Sequence, residues 1–345
     1  MGWGLDAKRR AAEFEPASID PKSEAADGDV GVVDGNAMFR SEAVGASPLR
    51  SVVQRVLTRV LGRCPVVLVC FDNPDAMPKL RAEVAAQRSA RPSKHRQLTD
   101  DEMLELRERG RMPVSVTWEQ LFAHSATKRL AFRLIYAEVI RQTELIGLDS
   151  PTTSVTVTDP SGSKPPWTYP PNTPSPFAGV LAAQRYGEAE AQMVVAIRDR
   201  MTKTKGEESV IVHTIDTDIL LQLLGIWARN VRVCLSKAWL TPDGVEHRTK
   251  AKSIKHNAAQ RKQEGAKRRK LEAPTLIWKQ YDMDRAMQRY GPTRERIANA
   301  QLWLLAAGGV DYCRGLGGFG WYQKACLKNT QQHQCVVAGK GDALV

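Results

Sequence analysis

The 345-residue chain is 42% hydrophobic and 26% charged, with a formal net charge of +12. Its length suits one large domain or two smaller ones, its composition is that of a globular protein, and no apolar run is long enough to span a membrane. The six cysteines, at 64, 70, 234, 313, 326 and 335, form neither a CxxC nor a paired Cys/His spacing, which argues against a zinc site and for thiols in a reducing compartment.

The opening stretch MGWGLDAKRRAAEFEP lacks the apolar core of a secretory signal. Gly2 is not read as a myristoylation site, because position 6 is Asp rather than Ser or Thr. Residues 1–28 read as a flexible lead-in. A first strand is expected over 29–34, then a helix over 47–62 with apolar residues at helical spacing. The run 65–71 has the length and β-branched content of a buried parallel strand. A basic helix is expected over 77–91, interrupted by Pro92, followed by helices over 99–109 and 117–146. Between 150 and 178, TSVTVTDP reads as a short strand, and the proline density of SGSKPPWTYPPNTPSP is expected to exclude regular structure and mark an insertion. Helix 179–201, strand 209–215, helix 218–228 and strand 231–240 follow. The basic stretch 244–273 has no apolar face and reads as an exposed, mobile insertion, with 241–273 its outer bounds. Two helices over 281–307 lead into a glycine-rich turn. The alternation argues an α/β fold whose mainly parallel sheet is covered by helices on both faces. Its core would comprise 29–240, with a helical region at 77–146, and 274–345.

The charge is unevenly placed. Residues 246–270 hold ten Lys/Arg against Glu246 and Glu264. A second cluster, Lys79, Arg81, Arg88, Arg91, Lys94 and Arg96, is opposed in sequence only by Glu83 and starts seven residues after Asp72. Such clusters beside acidic residues suit a polyanion whose backbone approaches bound cations; the alternative is a solvated basic surface.

Seven acids fall at places where chemistry concentrates. Asp34 ends GVVD, Asp72 ends VVLVCFD, Glu188 and Glu190 lie in GEAEAQ, Asp216 and Asp218 in VIVHTIDTD, and Asp311 in AAGGVDYCRGLGGFG. Carboxylates at strand ends can meet at one edge of an α/β sheet. Gathered together they repel, and hard divalent cations with oxygen ligands, Mg²⁺ above all, relieve that repulsion. Read singly, Glu188 and Glu190 are compatible with a surface helix, and Asp216 or Asp218 with a helix cap. The glycines after Asp311, including Gly315, Gly317, Gly318 and Gly320, permit close backbone approach to a phosphate or a plain helix–helix connection.

Five motifs in order, GVVDGN (31–36), CFDNPDAMPKLRAEVAAQRSAR (70–91), GEAEAQ (187–192), TIDTD (214–218) and GGVDYCRGLGGFGWYQKA (308–325), resemble the flap endonuclease (XPG) family of structure-specific 5′ nucleases, within the PIN-like nuclease fold. The resemblance covers nearly the whole chain, and MGWGL resembles the family's opening, which places Gly2 among the expected DNA contacts. It implies a phosphodiester hydrolase with two Mg²⁺ ions, Mn²⁺ serving in their place. Asp34, Asp72, Glu188 and Glu190 would hold one ion, and Asp216, Asp218 and Asp311, with Glu190, the second. Lys79 with Arg88 or Arg91 would match the family's catalytic cations. Arg81, Lys94 and the glycine-rich turn, with a K⁺ ion at that turn, would contact nucleic acid.

Three departures accompany the resemblance. The 25 residues after Gly320 are too few for the family's full helix–two-turn–helix and trailing helices, so the expected element is partial. The 160–176 and 244–273 stretches are extra, and no sliding-clamp peptide is found. The expected partner is DNA with a 5′ flap or branch, with RNA as the alternative substrate and a non-catalytic scaffold for branched nucleic acid as another reading. A monomer is expected. The sequence KRRK (267–270), with Lys267, Arg268 and Arg269, fits either a nuclear import signal or a DNA contact, so the expected location is intracellular and nuclear.

Overall fold

A computed structural model describes residues 17–18, 27–73, 93–147, 154–183, 187–216, 218–226, 228–241, 245–247, 253–256 and 275–288. The strands, in chain order, are β1 (Ala17–Ser18), β2 (Val30–Asp34), β3 (Val66–Cys70), β4 (Ser154–Val157), β5 (Trp167–Tyr169), β6 (Val210–His213), β7 (Val231–Leu240), β8 (Glu246–His247) and β9 (Thr275–Asp282). The helices are α1 (Gly35–Glu42), α2 (Leu49–Leu57), α3 (Asp100–Glu108), α4 (Trp118–Ala123), α5 (Ser125–Gly147), α6 (Ala178–Ala183), α7 (Ala189–Thr204), α8 (Asp218–Gly225) and α9 (Met283–Gln288).

Among the described residues the strands form one nine-stranded sheet in the order β1-β9-β7-β6-β2-β3-β4-β5, with β8 on β7. Its centre, β7-β6-β2-β3-β4, is parallel, and β9 and β5 add antiparallel at either side. The parallel part of the sheet starts at β2, builds outward through β3 and β4, then returns to place β6 on the other edge of β2. The crevice outside the carboxyl ends of β2 and β6 is therefore a topological switch point, where open α/β sheets carry their sites.

Side-chain alternation divides the core into two. Val30, Val32, Leu68, Val210 and Val212 face Met193 and Ile197 of α7 and Leu220 and Leu223 of α8. Val33, Val67, Val69 and Ile211 face Val52, Val53 and Val56 of α2 and Ile135 and Val139 of α5. Burial on both faces explains why these strands read as continuous apolar runs. Phe71, just past β3, stacks on Phe39 of α1 with centroids 5.8 Å apart, and Phe132 and Tyr136 of α5 meet its ring edge-on.

Several expectations change. The helix expected over 117–146 is broken at His124, whose extended backbone ends α4, and the Thr127 hydroxyl donates to Leu121 O at 2.7 Å across the break. The helix expected over 179–201 is likewise two, α6 and α7. The proline-rich insertion is not devoid of regular structure, because Trp167–Tyr169 pairs antiparallel with Val155–Val157; prolines flank the strand rather than enter it. The basic insertion is anchored at its start, where Glu246–His247 pairs with Trp239–Leu240, and Ser253 is buried. Strand β9 occupies 275–282, partly where a helix was expected to begin. Arg96 is no free basic residue either: it forms two hydrogen bonds to Glu102, which also closes the capping box of α3 with Thr99. The basic helix expected over 77–91 lies outside the described residues. No helix among the described residues is long and apolar enough to cross a membrane.

On the α2 side of the sheet, the buried Glu42 carboxylate accepts from Arg59 at 2.6 Å and from Arg55 at 3.1 Å, tying the end of α1 to α2 and to the turn after it. Glu42→Gln keeps the shape but removes the charge from these hydrogen bonds. It is expected to cost about 1.5–3 kcal/mol, read as a lower urea midpoint with unchanged m-value.

Candidate active site

Strand β2 ends in Asp34, whose side chain follows the same alternation as Val30 and Val32 and so faces α7. It is nearly fully buried, at 4% exposure. Its Oδ1 caps α1 by accepting from Ala37 N–H at 2.9 Å, and its Oδ2 accepts from the Thr214 hydroxyl at 3.0 Å. Thr214 follows β6 directly and its Oγ1 also accepts from the Asp216 N–H at 3.1 Å, so one hydroxyl joins the ends of β2 and β6. Gly35 is required next. A Cβ there would lie 2.7 Å from Cys70 O and 2.9 Å from the Phe71 ring, so only a residue without a side chain lets β2 turn into α1 against β3.

Asp72 lies two residues beyond β3. Its Oδ1 accepts from Ala189 N–H at 3.0 Å, capping α7 from a distant part of the chain, and its Oδ2 accepts from Asn36 Nδ2. Glu188 is the N-cap residue of α7 and makes no capping hydrogen bond of its own. Glu190 lies in the first turn, and its Oε2 accepts from Gln222 Nε2 of α8 at 3.3 Å. Glu190 also shares a hydrogen bond with Asp216.

The electrostatics record this convergence. Burial raises the Asp34 carboxyl to about 7, against hydrogen bonds from Ala37 and Thr214, and the charges of Asp72 and Asp216 push it further. Burial likewise drives Glu190 well above the carboxylate range, followed by Asp216, Asp34 and Glu188. His213, at the end of β6, is pushed down to about 4 by burial and then by Arg59 and Arg63, and stays neutral at pH 7.

Asp34, Asp72, Glu188, Glu190 and Asp216 are thus brought to one sheet edge. Asp218 opens α8 at that edge. Lys94 is exposed in the loop before α3. Gly2, Lys79, Arg81, Arg88, Arg91, Lys267, Arg268, Arg269, Asp311, Gly315, Gly317, Gly318 and Gly320 lie outside the described residues. The supporting residues Asn36, Thr214, Gln192 and Gln222 were not singled out in the sequence. Asn36, Gln192 and Thr214 do lie inside three of the motifs, but Asn36 holds Asp72 and Thr214 holds Asp34, each far away in the sequence.

The donor set fits a hard divalent cation: every converging acid offers carboxylate oxygen, the chemistry of Mg²⁺ or Mn²⁺ sites, and a cation would relieve the repulsion that raises Asp34 and Glu190. The arrangement is not a closed cage. Asp34 and Asp72 spend their oxygens on protein donors, and among the described residues no three His, Cys, Asp or Glu side chains form a ready ligand set. No protein-family model and no curated protein matches the chain.

Proposed function

We propose that the chain is a Mg²⁺-dependent, structure-specific 5′ nuclease of PIN-like fold that hydrolyses phosphodiesters in branched DNA. The observation that carries this reading is the meeting of Asp34, Asp72, Glu188, Glu190 and Asp216 at the switch point of a parallel sheet, in the motifs that resemble the flap endonuclease family. Asp34, Asp72, Glu188 and Glu190 would hold one Mg²⁺, and Asp216, Asp218 and Asp311, with Glu190, a second. Bound there, the ions supply a coordinated water of lowered pKa and positive charge beside the scissile phosphate.

The chain's own residues orient that site. Thr214 fixes the Asp34 carboxylate, Asn36 and the opening of α7 fix Asp72, and Gln222 holds Glu190 from α8. Such supporting contacts set ligand direction and basicity. Lys79 and an arginine from 88 or 91 would steady charge on the phosphate, and the basic stretches would add salt-dependent, sequence-independent affinity. The protein is proposed to act as a nuclear monomer.

The test is Mg²⁺-dependent cleavage of end-labelled 5′ flaps, single strands and duplexes, with RNA versions alongside. Cutting at the DNA flap junction, lost in EDTA, is the expected result. Cutting of RNA alone would reassign the substrate, and tight binding of branched DNA without any cutting would make the protein a scaffold.

A further inference from the structure

The segment 71–73 that carries Asp72 is held from two sides. On one, Gln192 Nε2 donates to Phe71 O at 2.9 Å, and Asn73 N–H donates to Gly187 O at 2.7 Å. On the other, Phe71 N–H donates to Thr158 Oγ1 at 2.7 Å, and Thr158 N–H donates to Val69 O at 3.0 Å. Thr158 opens the turn between β4 and β5, and the next residue organises it. Asp159 accepts from the backbone N–H groups of Ser161, Ser163 and Lys164 at 3.1, 3.1 and 3.0 Å and from both serine hydroxyls. Burial raises its carboxyl, but these hydrogen bonds outweigh burial and hold it below the usual range.

The turn presses on the site through a glycine. Gly162 has φ +62°, and a Cβ there would fall 2.1 Å from Asn73 Nδ2. Both the left-handed backbone and the absent side chain are therefore required. Asn73 is buried and adjoins Asp72. None of this is needed to close the sheet, because β4 already pairs with β3 through Ser154–Val157.

We propose that the β4–β5 turn is a positioning element for Asp72: Asp159 shapes the turn, Gly162 bears on Asn73, and Asn73 sets the spacing between Asp72 and the Glu188–Glu190 end of α7. The proposal rests on the cation-dependent nuclease reading. It gives the proline-rich insertion a task at the site, and it predicts that damage to the turn weakens cation use rather than DNA binding.

The test compares the full chain with its Gly162→Ala, Asp159→Asn and Lys164→Ala variants by two measurements. The first is amide hydrogen exchange in EDTA. Asn73 and Ala189 are expected to exchange faster in the two turn variants while β2 and β3 keep their protection. The second is flap cleavage against Mg²⁺ concentration. The half-saturating Mg²⁺ is expected to rise on the order of 10–100-fold, with KM for DNA unchanged and kcat restored at saturating Mg²⁺. Lys164→Ala, which keeps its backbone donor to Asp159, is expected to match the parent in both. Should Gly162→Ala fail to fold, the near-isosteric Asp159→Asn carries the comparison. Unchanged exchange at Asn73 and Ala189 in a folded variant overturns the proposal, as does lost cleavage that saturating Mg²⁺ does not restore. If the parent cuts no substrate yet the exchange changes as described, the nuclease reading fails while the coupling of the turn to Asp72 stands.

Discussion

Replacing Asp216 by alanine is expected to lower Mg²⁺-dependent flap cleavage by at least about 10²–10³-fold, the loss typical when a group that stabilises developing charge is removed. Affinity for the same DNA, measured in EDTA, should hold. The structure makes this variant a clean one. Asp216 is exposed, and its backbone N–H rather than its side chain makes the bond to Thr214 Oγ1 that orders the end of β6. Removing the carboxylate also removes the largest charge acting on Glu190, along with the hydrogen bond the two share. Full activity in this variant would sink the nuclease assignment, and parallel loss of DNA binding would show that Asp216 acts on the fold or the DNA instead.

The second large effect is on stability. Folding raises the Asp34 carboxyl from 3.8 to about 7, so between those values the folded state binds more protons than the unfolded one. Stability in EDTA must then fall as pH rises from about 4 to about 7, and stay flat above, by roughly 4 kcal/mol from this group. Glu190 is shifted the same way and extends the decline upward. Comparison with Asp34→Asn isolates the effect of Asp34 together with its coupling to Glu190, because groups that do not sense its charge cancel. The variant should match the parent below pH 4 and be the more stable protein at pH 8, by urea melting in EDTA. If the site takes Mg²⁺ as proposed, the ion should bind the folded parent in preference to the unfolded chain and close or reverse that gap. Identical pH profiles for the two proteins would mean that Asp34 is not under the charge load described.

The sequence was most legible where both faces of a strand are buried. The runs ending in Asp34 and Asp72 announced β2 and β3 nearly to the residue. It was least legible where tertiary pairing overrides local preference. Trp167–Tyr169 becomes a strand only because β4 lies beside it, despite prolines on either side. Strand β9, with its mixed sequence TLIWKQYD, is fixed by its antiparallel register on β7. The carboxylates were visible because acids at the ends of apolar runs are conspicuous. Asn36, Thr214 and Gln222 were not, since a lone amide or hydroxyl has no pattern and gains its meaning only from what it faces. Gly162 was invisible for the same reason: its constraint comes from Asn73, on a different strand connection.

The placement of β2 has a cost during synthesis. Its partner on one edge, β3, follows soon after it, but the partner on the other, β6, comes far later; the Asp34–Thr214 bond that joins their ends spans 180 residues of sequence. At roughly 5–20 residues per second, the ribosome needs roughly 10–40 s to supply it. For that interval a fully buried strand of the finished sheet has one open edge, the kind of surface on which nascent chains misassociate. The strand that later anchors the centre of the sheet is therefore the one on which successful biogenesis depends, and the point at which a growing chain would most need a chaperone.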